Sequence, residues 1–123
     1  MEKLRMTVVQ VLSPPIVQIL FWLCAATVLY LSLSSGKHLP TTGWDKSNHV
    51  LAFATLTILG SRSWPGALRR LYVALIAHGS LIEVLQSFTP TRQADWHDLV
   101  ADAVGIILGV LVLKLSMRLA VKP

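Results

Sequence analysis

Between residues 16 and 34 the chain carries no charged side chain at all. At about 1.5 Å of rise per residue, a helix over that run crosses roughly 30 Å of hydrocarbon. A segment in lipid must satisfy its own backbone hydrogen bonds, so a lone apolar run of this length has helix as its solution. Ser13, Pro14 and Pro15 precede the run and read as its start, serine capping and proline sitting in the first turn. The run is longer than the ~7–15 apolar residues of a cleavable leader, and further apolar stretches follow it, so it reads as a retained first span.

Those further stretches cover residues 45–61, 68–88 and 95–117. The breaks are short and rich in turn-forming residues: GKHLPTTGW after the first span, Pro65-Gly66 after the second, TPTRQA after the third. Connections this short force neighbouring helices to run antiparallel. The expectation is an all-α, integral-membrane four-helix bundle, one domain over residues 1–123, with spans at about 16–34, 45–61, 68–88 and 95–117. Composition agrees. Charged residues make up 14% of the chain, against about a quarter in a soluble domain that must cover itself with them.

A net charge of +5 raises the question of nucleic acid, but the cations stand singly or in pairs between apolar runs. No basic stripe with stacking aromatics is present, so no nucleic-acid partner is expected. Their distribution instead orients the bundle. Lys3, Arg5, Arg62, Arg69, Arg70, Lys114, Arg118 and Lys122 fall on one side, and Lys37, Lys46 and Arg92 on the other. The richer side is expected to be cytoplasmic, with both termini on it. The lone Cys24 lies in the first span and reads as a small packing residue.

The acids follow the opposite pattern. Asp45, Glu83, Asp95, Asp98 and Asp102, five of the six, belong to the outer ends of spans two, three and four. Lys46, His49, Gln86 and Arg92 accompany them. An ionisable group near the centre of a span costs at least ~2.5–3.5 kcal/mol on insertion scales, so a group of them needs partners or water. Asp45 and His49, four apart, share a helix face, as do Glu83 and Gln86, three apart. Asp95, Asp98 and Asp102 form one stripe, continued by Gly105 and Gly109 in a small-xxx-small pattern that admits a second helix closely. That stripe should face the bundle, with Val104, Ile107 and Val112 turned to lipid. Asp102 lies about 10 Å along the helix from Asp95, so the acids descend into the membrane.

Several of these residues also have structural roles open to them. Asp45 and Asp95 suit helix caps, Arg92 an ion pair holding the turn, and Lys46 an interface anchor. His78 reads as an interhelical hydrogen-bonding residue. His97 should face away from the acids and sit, like Trp96, at the interface; Trp22, Trp44 and Trp64 read as belt or packing residues.

Asp45-Lys46-x-x-His49 resembles the first motif of the VanZ-like membrane proteins. Ile82-Glu83-x-x-Gln86-x-Phe88-x-Pro90-x-Arg92-x-x-Asp95-x-x-Asp98 resembles their second, and Gly105 continues it; the likeness spans about residues 45–110. Asp102 departs from it, standing where many relatives are expected to carry asparagine. The resemblance implies a bacterial cell-envelope protein of the cytoplasmic membrane, in a family named for a component linked to the glycopeptide teicoplanin and including members beside exopolysaccharide and protein-sorting genes.

Three function classes fit these residues. In the first, His49, Glu83 and Asp98 perform acid–base chemistry on a lipid-linked glycan or peptidoglycan precursor, since imidazole titrates near neutrality. Asp45, Lys46, Gln86, Arg92, Asp95 and Asp102 would then line the substrate, with Lys46 and Arg92 suited to an anionic group. In the second, the protein binds an antibiotic or lipid headgroup, or supports a partner, without turnover. In the third, the acids line a small ion or proton pathway. Carboxylates with one histidine also suit magnesium, manganese or zinc, although no compact ligand spacing is present.

Overall fold

The computed structural model describes residues 14–34, 45–90 and 94–121. Within them the chain forms four helices and no strand: α1 Pro14–Leu33, α2 Asp45–Ser63, α3 Leu68–Ser87 and α4 Trp96–Val121. The boundaries fall within a few residues of the apolar stretches. The largest difference is at α4, which continues to Val121 through the exposed Lys114 and Arg118. Nothing in that sequence breaks a helix, because leucine, methionine, arginine and alanine are all strong formers.

Residue pairs fix the directions. Phe21 of α1 packs on Gly60 and Trp64 at the far end of α2, and Leu71 of α3 meets that same Gly60. Gly79 of α3 meets Asp102 of α4, while Glu83 reaches back to Asp95. Sequence-adjacent helices are therefore antiparallel, and α2 and α4 run side by side in parallel, Lys46 against Asp98 and His49 against Asp102.

The most intimate of these contacts is between α2 and α4. A β-carbon at Gly105 would fall on the Val50 carbonyl oxygen, and one at Gly109 would lie 2.8 Å from the Ala54 oxygen. Two backbones in such contact have no room for a side chain, which is the function of the small-xxx-small pattern. Asp98, Asp102, Gly105 and Gly109 all face inward, and Val104, Ile107 and Val112 are exposed, as expected, whereas Asp95, the first residue of the expected stripe, precedes α4 and its side chain is 39% exposed.

By length and composition, α1 over Pro15–Leu33 and α4 over Trp96–Ala120 are apolar enough to cross a membrane. The expectation was four such spans. α2 and α3 carry the polar load instead, with Lys46, Asn48 and His49 on one and Arg69, Arg70, His78, Glu83 and Gln86 on the other. α2 packs against all three other helices, and Phe53, Leu56 and Thr57 at its middle are wholly buried. A helix shielded in this way needs less apolar surface of its own. The core joins Phe21, Phe53, Leu56, Leu71, Leu75, Ile82 and Ile106 from all four helices.

The bundle is polar in the electrical sense. Among the described residues, Arg62, Arg69, Arg70, Lys114 and Arg118 mark one end, with the edge-to-face cluster of Phe21, Trp22 and Trp64 near it. The carboxylates of Glu83, Asp95, Asp98 and Asp102 belong to the other.

Candidate functional site

The acidic end is built from the C-termini of α1 and α3 and the N-termini of α2 and α4. The first turns of α2 place Lys46 and His49 on one side because residues three apart lie on one helical face. The same rule puts Asp98 and Asp102 of α4, four apart, opposite them. The parallel register of α2 and α4 then brings the two sets into pairs.

His49 lies between two acids. Its Nδ1 is 2.9 Å from Asp102 Oδ1, and its Nε2 is 3.6 Å from Asp98 Oδ2, too far for a hydrogen bond. With Nδ1–H donating to Asp102, Nε2 is the ring nitrogen on the Asp98 side. The His49 and Asp98 side chains are 8% and 5% exposed and that of Asp102 is wholly buried. Asp98 Oδ1 in turn accepts from the Lys46 ammonium, which also donates to Asp95 Oδ2 at 2.8 Å. The series Asp102, His49, Asp98, Lys46, Asp95 thus runs from the interior outward, its last members a quarter and two-fifths exposed (24% and 39%).

Asp95 is also the N-cap of α4. Its Oδ1 accepts from the backbone N–H of His97 at 2.9 Å, and the His97 ring nitrogen Nδ1 lies 2.8 Å from the same oxygen. Lys46 first, then these His97 contacts, hold the Asp95 carboxyl well below the usual carboxylate range. His97 is exposed and stacked on Trp96. Its bond to Asp95, however, ties it to the acids from which it was expected to turn away.

Glu83 Oε2 accepts the Asp95 N–H at 2.7 Å, clamping α3 to the start of α4. Its Oε1 is buried with no hydrogen-bond partner among the described residues, within electrostatic reach of His49, Asp98 and Asp102. Gln86, expected beside a ligand, is 2% exposed and donates to the Ser32 carbonyl of α1 at 2.8 Å. That is the position of an interhelical tie. Asp102, likewise expected to line a substrate, stands behind His49. His78 lies deeper on α3, against Phe53 and toward the Ala25 carbonyl of α1, in keeping with an interhelical role. The Arg92 residue and the Asp45 side chain lie outside the described residues, as do Ser13, Lys37 and Trp44.

Among the described residues, no group of three histidine, cysteine or acidic side chains has metal-holding geometry. The Lys46 ammonium occupies the place between Asp95 and Asp98 that a cation would take. Gly79 was not singled out from the sequence, yet a β-carbon there would lie 2.6 Å from Asp102 Oδ2. Its spacing held a signal: Gly79, Glu83 and Gln86 fall at i, i+4 and i+7 on α3.

A family model described as VanZ/LLP1 matches residues 9–117. The match extends past residues 45–110, where the motif resemblance lies, and takes in α1. No curated protein and no solved structure matches the chain.

Proposed function

The chain belongs to the VanZ/LLP1 family, and on that premise we propose that it is a bacterial envelope membrane protein, one VanZ-like domain, whose acidic end binds and chemically modifies a lipid-linked envelope intermediate. The observation that carries this reading is the Asp102–His49 pair. A fully buried carboxylate fixes one ring nitrogen, and the other lies on the Asp98 side. This is how a general base is oriented: the acid sets tautomer and ring direction, and the second nitrogen takes the proton. Glu83, with one buried oxygen unspent, would return a proton to the departing group. Lys46, bridging Asp95 and Asp98, closes the site rather than opening it. It holds the acids of α4 against α2 so that His49 keeps its position.

The charge asymmetry supports an outward-facing acidic end and cytoplasmic termini. The exposed apolar faces of α1 and α4, from Ile19, Trp22 and Leu23 to Ile107, Leu111 and Leu115, are too extensive for water. A lipid-borne substrate would reach the site along them. A second reading, binding without turnover, is favoured by one observation: Asp95, Asp98 and Asp102 each have a partner within the protein, as a scaffold would arrange them.

His49→Asn and Glu83→Gln remove the chemistry while keeping a polar side chain in each place. Both variants should accumulate in membranes and melt normally yet lose an envelope phenotype such as altered glycopeptide susceptibility. In the same strains, a cysteine at Gly66 should escape an impermeant thiol reagent applied outside the cell. Misfolded variants, with every folded variant keeping its phenotype, would make the cluster scaffolding. External labelling at Gly66 would place the acidic end in the cytoplasm.

A further inference from the structure

Only one oxygen of the Asp102 carboxylate is accounted for by His49. The other, Oδ2, is buried without a hydrogen-bond donor among the described residues and rests on Gly79 of α3. A β-carbon at Gly79 would stand 2.6 Å from Oδ2 and 3.4 Å from the carboxyl carbon, whereas carbon–oxygen contacts settle at about 3.3–3.6 Å. Any other residue at position 79 must therefore displace something. The α4 backbone cannot retreat, because on its α2 side Gly105 and Gly109 already lie against the Val50 and Ala54 carbonyls. The group free to yield is the carboxylate itself, by rotating about its own side-chain bonds and away from Nδ1 of His49.

We propose that Gly79 is a positioning residue for His49, acting through Asp102. The missing side chain on α3 is the seat of the carboxylate, and the seated carboxylate fixes the histidine tautomer. This rests on the reading of His49 as the working base, but its test needs no substrate. Glycine at 79 thus serves the ring of His49 on α2, a helix that Gly79 serves only through the intervening acid.

The test is nitrogen-15 NMR of histidine-labelled full-length protein in lipid nanodiscs. The wild type should show His49 as the Nδ1–H tautomer with a strongly hydrogen-bonded proton. Gly79→Ala should lose that resonance while the signal of His97, held by Asp95 at the surface, stays in place. The added methyl would also press on Leu99, 3.3 Å away, so Gly79→Ala/Leu99→Ala serves as the second variant. It relieves the packing and leaves the carboxylate displaced. The double variant should recover the wild-type melting temperature without recovering the His49 signal. A wild-type His49 resonance in either variant would reduce Gly79 to a packing residue and overturn the proposal. Loss of the resonance in a protein whose His49→Asn form keeps its phenotype would separate this geometry from the functional reading.

Discussion

Lys46→Met should destabilise the bundle by about 2–3 kcal/mol. Asp98 is 5% exposed, and its Oδ1 has the Lys46 ammonium as its charge partner. Removing one member of a buried pair costs roughly 3–5 kcal/mol, because the other is stranded. Lys46 is 24% exposed, so water reaches the stranded carboxylate and the loss falls below that range. The pair itself contributes much less than this figure, since both charges were desolvated to form it. Lys46→Met/Asp98→Leu should therefore recover most of the loss. Denaturant unfolding in micelles reads both variants. A single variant as stable as wild type would mean that the pair behaves as a surface salt bridge, worth at most ~1 kcal/mol.

Gly105→Leu should follow closely. The new β-carbon would fall on the Val50 carbonyl oxygen and lie 3.1 Å from the Phe53 β-carbon, so it meets backbone rather than a flexible side chain. Phe53 is fully buried and cannot swing out. Overpacking of this kind costs about 1–3 kcal/mol, and here the helices must part to relieve it. Parting them also stretches the contacts of His49 with Asp98 and Asp102, so the His49 ring signal should broaden as stability falls. Leu108→Ile, on the exposed face of α4, is the matched control and should leave unfolding nearly unchanged. Equal melting of Gly105→Leu and wild type would contradict the close α2–α4 contact.

The parts of the fold legible in the sequence are those that a single helix determines. The stripe Asp98, Asp102, Gly105 and Gly109 could be placed on one face because helical period alone sets it. The gathering of acids at one end followed from antiparallel order. What spacing within a helix does not set is the register between helices. The pairing of Lys46 with Asp98, and of His49 with Asp102 behind it, depends on α2 and α4 approaching at their glycines, a matter of ångströms. Gln86 was assigned to a ligand because it shares a face with Glu83, yet α1 lies near enough for its amide to reach the Ser32 carbonyl. His97 illustrates a different gap. Its direction on the helix was legible, but its bond to Asp95 arises from the cap, where the chain leaves helical geometry. The polar character of α2 and α3 was visible; its tolerance depends on their neighbours.

On the proposed function, the acidic end holds a lipid-linked envelope species at His49. Native mass spectrometry of the full chain, released from its own membranes into nanodiscs and compared with His49→Asn and with the surface variant Arg118→Gln, tests it directly. A lipid-linked glycan or peptidoglycan precursor should be retained on wild type and on Arg118→Gln, and lost from His49→Asn at unchanged melting temperature. The same lipid complement on all three proteins, or a species lost only with Arg118, would contradict it.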